Sequence, residues 1–258
     1  MDKPEVVDVL EVRKENSNSA TIQLDKKLDA KPGQFVMLWI PKVDEKPFSL
    51  SRIKGNVEIT FDVKGPFTQR LFSLKKGSLV GIRGPYGNGW EIKGKNLCLV
   101  AGGLGLAPMM PIIEGKGNKK ITLIFGVKSD KNLMLQDRLK KAGVEILFTT
   151  DDGSFGAHCY ACDILEETIK KGKHDQILTC GPEILMKKVA DIAEKLKIPC
   201  QISMERYMKC GIEMCGSCCF GPKGLRVCKE GPVFWAHKIG KGEFGFYTRD
   251  KSGSKLNL

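Results

Sequence analysis

No segment of this 258-residue chain is built for export or for a bilayer. The opening residues, Met1-Asp2-Lys3-Pro4-Glu5, carry no basic stretch leading into an apolar one, which predicts a cytoplasmic protein. One uncharged run, Leu97 to Ile113, approaches the roughly 17 to 25 apolar residues that span a membrane. Gly102, Gly103, Gly105, Pro108 and Pro111 interrupt it, so it reads as a buried strand, a turn and a helix start. Internal repeats and low-complexity tracts are absent. So are basic blocks: the net charge is +12, but the lysines are interleaved with acids and do not alternate with aromatics. That is the pattern of a solvated surface and speaks against nucleic acid as a partner. A basic, zinc-bearing nucleic-acid-binding protein is the alternative of a different class that charge alone allows. An evenly spread disulfide framework is missing too. The ten cysteines are clustered, and in a cytoplasmic setting they read as metal ligands and buried thiols.

What the chain does have lies near its C-terminus. Cys210, Cys215, Cys218 and Cys228 are spaced C-x4-C-x2-C-x9-C. This matches the plant-type two-iron ferredoxin run, in which a tight loop sets three thiolates about a cluster and a later cysteine closes it. Gly211 and Gly216 stand beside two of the ligands, where a missing Cβ lets backbone N–H groups approach the sulfurs. The spacing predicts a [2Fe-2S] centre and one-electron transfer. A structural zinc ion with four thiolates is the alternative, although zinc ligands usually come as two C-x2-C pairs and this run contains one. Cys219, beside Cys218, could substitute for it.

A multidomain fold is predicted. A 41% apolar fraction over this length supports two or three compact units. Before about Lys93 to Asn96, segments with β character are separated by turn signals: Val6 to Val12, Ala20 to Leu24, Gln34 to Ile40, Ser49 to Ile53, Val57 to Val63 and Ser78 to Arg83. They predict a small antiparallel β-barrel over 1–95. Over 96–202, apolar strands alternate with helical patterns, the first helix at Ala107 to Glu114, which predicts an α/β parallel sheet with crossover helices. From 203 to 258 the chain is Gly- and Cys-rich with little helical periodicity, so a bound cluster must supply much of its ordering free energy.

In the second unit, Gly102, Gly103 and Gly105 follow a strand and allow close approach of a pyrophosphate to a helix N-terminus. Pro108 replaces the last glycine of the usual fingerprint and suits the first turn of a helix. A later strand ends in Thr179-Cys180-Gly181-Pro182, at the sheet edge where open α/β folds bind ligands. In the first unit, Lys46-Pro47-Phe48-Ser49 offers a basic residue and a hydroxyl around an aromatic. Gly65 and Thr68, beside Phe67, open an amphipathic segment that can face a pyrophosphate.

Together these residues resemble the ferredoxin-NADP reductase superfamily, and most closely the electron-transfer subunits of class 1B dihydroorotate dehydrogenases. The resemblance covers essentially the whole chain. Its most specific parts are Ser203 to Gly211, Arg226 to Phe234, Thr150 to Ser154 and Gly84 to Gly89. It implies an FAD domain, a nicotinamide domain and a [2Fe-2S] domain, in that order. It places FAD on Lys46 to Ser49 and Gly65 to Thr68, with Phe61 and Asp62 near its phosphate or ribose. Ser49 would stand near flavin N5 and Cys180 near the nicotinamide, making these two the catalytic residues, with Asp152 at the nicotinamide nucleotide. The cluster ligands would be Cys210, Cys215, Cys218 and Cys228. Lys46 stands where the superfamily usually has arginine, turning a fork into a point charge. After Gly156 the family's continuation is replaced by Ala157-His158-Cys159-Tyr160-Ala161-Cys162. The implied partner is an FMN-containing catalytic subunit, in a heterotetramer, with NAD as final carrier. Lys128 to Lys131 leave NADP open. Small subunits of NADH-dependent ferredoxin:NADP oxidoreductases, sulfide dehydrogenases or hydrogenases share this layout and are the alternative.

Overall fold

The computed structural model describes residues 3–240 and 242–258. Its first unit is an antiparallel sheet of β1 (Glu5–Lys14), β2 (Ser19–Leu24), β3 (Phe35–Ile40), β4 (Asp44–Ser49), β5 (Glu58–Asp62) and β6 (Leu79–Tyr86), ordered β4-β3-β6-β1-β2-β5. Alternate residues point inward, as strand pleating requires: Val36, Leu38 and Ile40 from β3 meet Ile22 and Leu24 from β2 and Ile59 and Phe61 from β5. Burying each such side chain stabilises the fold by about 1.5–3 kcal/mol. The sheet curls into a half-barrel with edges at β4 and β5. The strand expected at Ser49 to Ile53 lies earlier, at β4. Its charges and Pro47 hid it, yet β4 is an edge, where a missing N–H breaks no ladder and charges deter pairing with other chains. After β5 comes the short helix α1 (Pro66–Phe72).

The second unit comprises β7 (Asn96–Gly102), α2 (Met110–Glu114), β8 (Lys120–Val127), α3 (Gln136–Ala142), β9 (Glu145–Thr150), β10 (Ala157–His158), α4 (Leu165–Lys171), β11 (Gln176–Cys180), α5 (Glu183–Lys195) and β12 (Cys200–Ser203). Its strands are parallel and read as apolar runs because both faces are covered. The helix expected from Ala107 begins later. Gly103–Met109 winds as a 3-10 helix, and α2 follows with Pro111, not Pro108, in its first turn, where a missing N–H costs nothing.

The cysteine-bearing segment forms β13 (Cys219–Phe220), β14 (Leu225–Arg226), β15 (Val233–Trp235), β16 (Tyr247–Arg249) and β17 (Lys255–Asn257). Strand β15 pairs antiparallel with β12, so the sheet runs β10-β9-β8-β7-β11-β12-β15. Met208, Phe220, Val227 and Phe234 share a core with Ile177 and Ile202 of that sheet and with Phe35 and Met37 of β3.

On the far side, Glu58 is 1% exposed and accepts from Arg13 at 3.0 Å and from Arg138 of α3 at 3.1 Å. Arg138 also donates to the Ser51 carbonyl at 2.6 Å, joining the two units. Glu58→Ala leaves these cations without their buried partner, and stability is expected to fall by about 3 kcal/mol. Urea unfolding followed by tryptophan fluorescence checks this; an unmoved midpoint would show that the network contributes nothing.

Candidate functional site

The chain builds the second sheet outward from β7 through β8 to β9, then returns to lay β11 on the other side of β7. The reversal makes a crevice at the C-terminal ends of β7 and β11, the place where open α/β sheets bind ligands. Both predicted turns meet there. A Cβ on Gly105 would fall 2.2 Å from the Cys180 carbonyl oxygen, and Gly181 has φ +150° with Gly102 N 2.8 Å from its Cβ position. Gly102 likewise lies against Pro182. Only glycine lets the two backbones touch. Gly103 faces open space instead, and Pro108 is buried, its carbonyl accepting from Trp90 Nε1 at 3.4 Å. Burial pushes the Cys180 thiol up to about 12, so it stays protonated at neutral pH. Asp152 sits in the exposed loop after β9, where its carboxylate accepts from the Ser154 hydroxyl at 2.6 Å. That hydroxyl in turn accepts from Asp130 N at 2.8 Å, tying the loops after β8 and β9 together.

Strand β4 divides its residues between two faces. Register with β3 pairs Lys46 with Leu38, Pro47 with Met37, Phe48 with Val36 and Ser49 with Phe35. Phe48 points inward, with ring centroids 6.3 Å from Phe61 and 5.9 Å from Phe67. Pro47 and Ser49 share the outer face with Met37. Lys46 and Ser49 therefore leave one strand on opposite faces. The Lys46 ammonium meets Asp44 at 2.5 Å and lies 5.9 Å from the Tyr207 ring centroid. Asp62 accepts from Ser19 at 2.7 Å. Thr68 Oγ1 accepts from Lys64 N at 2.9 Å and Gly65 N at 3.1 Å, capping α1, and the space beside Gly65 is open.

The cysteine loop packs on that same outer face. A Cβ on Gly211 (φ +70°) would lie 2.9 Å from Met37, and Arg83 of β6 donates to the Cys210 carbonyl at 2.8 Å. Within the loop, Ile212 N and Cys215 N both point at Cys210 Sγ, each at 3.4 Å. Backbone donors aimed at sulfur suit an anionic thiolate centre. Cys218 and Cys228 are both buried. Among the described residues, no three Cys, His, Asp or Glu side chains converge on a point that could hold a single metal ion. Cys219 opens β13, its sulfur beside Gly216. An all-thiol set lined by backbone N–H groups fits an iron-sulfur cluster.

Comparisons with known proteins agree with this geometry. Residues 205–240 match the family described as the iron-sulfur cluster binding domain of dihydroorotate dehydrogenase B, and residues 99–191 match the oxidoreductase NAD-binding domain. A probable dihydroorotate dehydrogenase B (NAD(+)) electron transfer subunit from Methanocaldococcus jannaschii is 46% identical over 99% of both chains. One from Methanopyrus kandleri is 40% identical over 97% of both. The chain belongs to the family of dihydroorotate dehydrogenase B electron transfer subunits. Membership implies a catalytic partner subunit. Among solved structures, an NADH-dependent reduced ferredoxin-NADP oxidoreductase, described for flavin-based electron bifurcation, has the same fold, with TM-score 0.82 at 24% identity, covering 93% of this chain and 91% of that one. The flavohem-like FAD/NAD-binding domain of a nitric oxide dioxygenase from Vibrio cholerae has TM-score 0.65 at 17% identity and covers 76% of this chain and 95% of its own. The iron-sulfur match favours iron over zinc in this family member. Among the described residues no helix is long and apolar enough to cross a membrane.

Sequence reasoning missed the arginines that dock the cysteine loop. Arg206 lies inside the run Ser203 to Gly211, but its carboxylate partners Glu183 and Glu243 are 23 and 37 residues away. No local spacing signals such a contact. Tyr207 was hidden in the same way. Cys159 and Cys162, a C-x2-C pair, are both held above the usual thiol range by burial and by Asp163, which makes them poor nucleophiles.

The cluster cysteines differ sharply in acidity. Burial pushes the exposed Cys215 thiol up, but hydrogen bonds with Ser217 and Cys210 outweigh it and bring it down to about 6. Burial, then the hydrogen bond with Cys218, pushes Cys228 up to about 12. In cluster-free protein the Cys215 thiolate grows as pH rises through about 6, so iodoacetamide should alkylate Cys215 first and spare Cys228 at neutral pH. Peptide mapping by mass spectrometry reads this out; equal labelling of the two would refute it.

Proposed function

We propose that this chain carries electrons released by dihydroorotate oxidation on an FMN-containing catalytic partner, through its [2Fe-2S] cluster and FAD, to NAD in pyrimidine biosynthesis. The observation that carries the reading is the packing of the cysteine loop on the outer face of the β3–β4–β6 sheet, the face that also bears Ser49. Nicotinamide exchanges two electrons as a hydride, a cluster exchanges one, and flavin does both, so the flavin belongs between the others. Residues 1–95 would hold FAD, 96–202 the nicotinamide nucleotide and 203–258 the cluster. The partner assembly is a heterotetramer in the cytoplasm, with no role for nucleic acid or membrane.

The residues divide the work by position. Lys46 supplies a point charge for the FAD phosphate, and Gly65 and Thr68 offer an open, capped turn beside Phe67 for the pyrophosphate. Phe61 and Asp62 line the approach. Because β4 is a sheet edge, a cofactor that wraps around it can reach Lys46, Pro47, Phe48 and Ser49 on both faces. Ser49 orients the reacting edge of the ring. At the crevice, Gly103 leaves open space for a nucleotide, Gly102, Gly105, Gly181, Pro182 and Pro108 build the close-packed turns beside it, Asp152 flanks it, and Cys180 meets the nicotinamide as a neutral thiol. The NAD(+) in the relatives' names supports NAD over NADP. Cys210, Cys215, Cys218 and Cys228 bind the cluster as thiolates. An NADH-dependent ferredoxin:NADP oxidoreductase shares the fold; partners identified by co-purification and mass spectrometry test the proposed reading against it.

Cys228→Ser should strip the cluster but leave FAD bound, so that NADH-dependent reduction of a flavin-accepting dye survives while transfer to the partner stops. Cys219→Ser should be nearly silent. Iron content and visible spectra of both variants check this, and iron loss in Cys219→Ser with retention in Cys218→Ser reverses the ligand assignment.

Ser49→Ala should slow flavin reduction by NADH on the order of 10- to 1000-fold, the range for losing one oriented hydrogen bond at a reacting centre, with FAD occupancy retained. Stopped-flow absorbance is the measurement; an unchanged rate removes Ser49 from the site.

A further inference from the structure

Arg83 has no role in the proposed function, yet it is 8% exposed and heavily bonded. Its Nε donates to Glu45 Oε1 at 2.7 Å and its Nη2 to Glu45 Oε2 at 2.5 Å. The same Nη2 donates to the Cys210 carbonyl at 2.8 Å. Nη1 reaches the Tyr86 hydroxyl at 3.5 Å, and the guanidinium lies 5.6 Å from that ring's centroid. Glu45 precedes Lys46 on β4 and shares the outer face with Ser49, opposite Trp39 of β3. Met37, which touches Gly211, is the β3 residue opposite Arg83 itself. One planar group therefore joins the strand assigned to flavin to the backbone of a cluster ligand. A fork fixes both distance and angle, which a flexible ammonium does not.

We propose that Arg83 is a positioning residue for electron transfer, holding Cys210, and with it the near edge of the cluster, at a fixed place relative to the flavin strand β4. The inference rests on the proposed function. Arg83 and Glu45 together are neutral, so the tie adds no net charge beside a centre that becomes more negative by one unit when reduced. Loss of the arginine alone leaves Glu45 unpaired there, which lowers the cluster's potential, because net charge near the sulfurs is among the features that set it. Removing both charges restores the charge balance but not the tie.

The test uses the full-length protein loaded with FAD and cluster, as wild type, Arg83→Met, Glu45→Gln and the double variant. Iron and flavin content establish integrity, and stopped-flow absorbance with NADH follows the flavin and then the cluster. Electron paramagnetic resonance of the reduced cluster, with a redox titration, gives its signature and midpoint potential. Flavin reduction is expected to stay at the wild-type rate in every variant. The one-electron step from flavin to cluster should slow on the order of 10-fold or more, since small misplacements of reacting groups cost such factors. The potential should fall in Arg83→Met and return in the double variant while the step stays slow. A wild-type step and an unchanged resonance spectrum in Arg83→Met would overturn the proposal. Should that variant lose its iron, Glu45→Gln keeps the arginine but replaces the bidentate charged pair with a single neutral acceptor, loosening the tie to β4, and a wild-type step there overturns it equally. Wild-type protein without iron or a cluster signal would sink the proposed function and this inference together, whereas a normal wild type with insensitive variants sinks this inference alone.

Discussion

A guanidinium that is 2% exposed must be paired, because an isolated buried charge costs several kcal/mol, and Arg206 is paired twice. It meets Glu183, the first residue of α5, at 2.6 Å, and Glu243 at 3.2 Å, and lies over the Phe220 ring with its centroid 5.1 Å away. Glu243 also accepts from Gly221 N and Glu183 from Gly245 N. The start of α5 directly follows Cys180, Gly181 and Pro182, so this group ties the cysteine-bearing segment to the crevice of the parallel sheet. The segment is poor in regular structure, and its buried Phe220, Phe234 and Phe244 join the core beneath the sheet, with Arg206 lying over Phe220.

A second attachment acts from the other direction. The turn after β6 meets the loop before β15, with Asn88 N donating to the Gly231 carbonyl at 2.6 Å and Asn88 Nδ2 to the Glu230 carbonyl at 3.0 Å. The cysteine loop is thus held between half-barrel and parallel sheet rather than hung from the end of the chain. The Glu58–Arg138 contact closes the opposite side, which limits rotation of the half-barrel against the sheet.

Much of this was legible in the sequence. The β7, β8 and β11 runs are apolar and bounded by glycine or proline, so their identity as buried parallel strands follows from composition. The thiol spacing predicts one tight loop for Cys210, Cys215 and Cys218, and these three lie in the irregular stretch between β12 and β13, with Cys228 following β14. Two of the runs that carried the family resemblance, Gly84 to Gly89 and Arg226 to Phe234, touch each other through Asn88. Strand β4 was missed because an edge strand tolerates what a central strand does not, and edge status depends on a neighbour 10 residues upstream and nothing downstream. The late start of α2 was missed because glycine and proline in one run allow both a helix start and a 3-10 turn, and packing against Cys180 chooses. The faces of Lys46 and Ser49 follow from β4 once its limits are known, and from nothing earlier.

The cysteines show how far residue type alone carries an argument. Cys98 and Cys200 are buried in the sheet core, and burial pushes both up to about 12, which leaves them as small apolar fillers. Cys180, partly exposed at the crevice, is raised by burial to the same level. Cys215 differs only in its surroundings: a loop folded through positive φ at Gly211, Glu213 and Gly216 brings the Ser217 hydroxyl to its sulfur. Cys228 stands at the other extreme, buried, its thiol pushed up to about 12 by burial and then by Cys218. Solvent access and hydrogen bonding thus set apart two cysteines that the spacing alone treats alike.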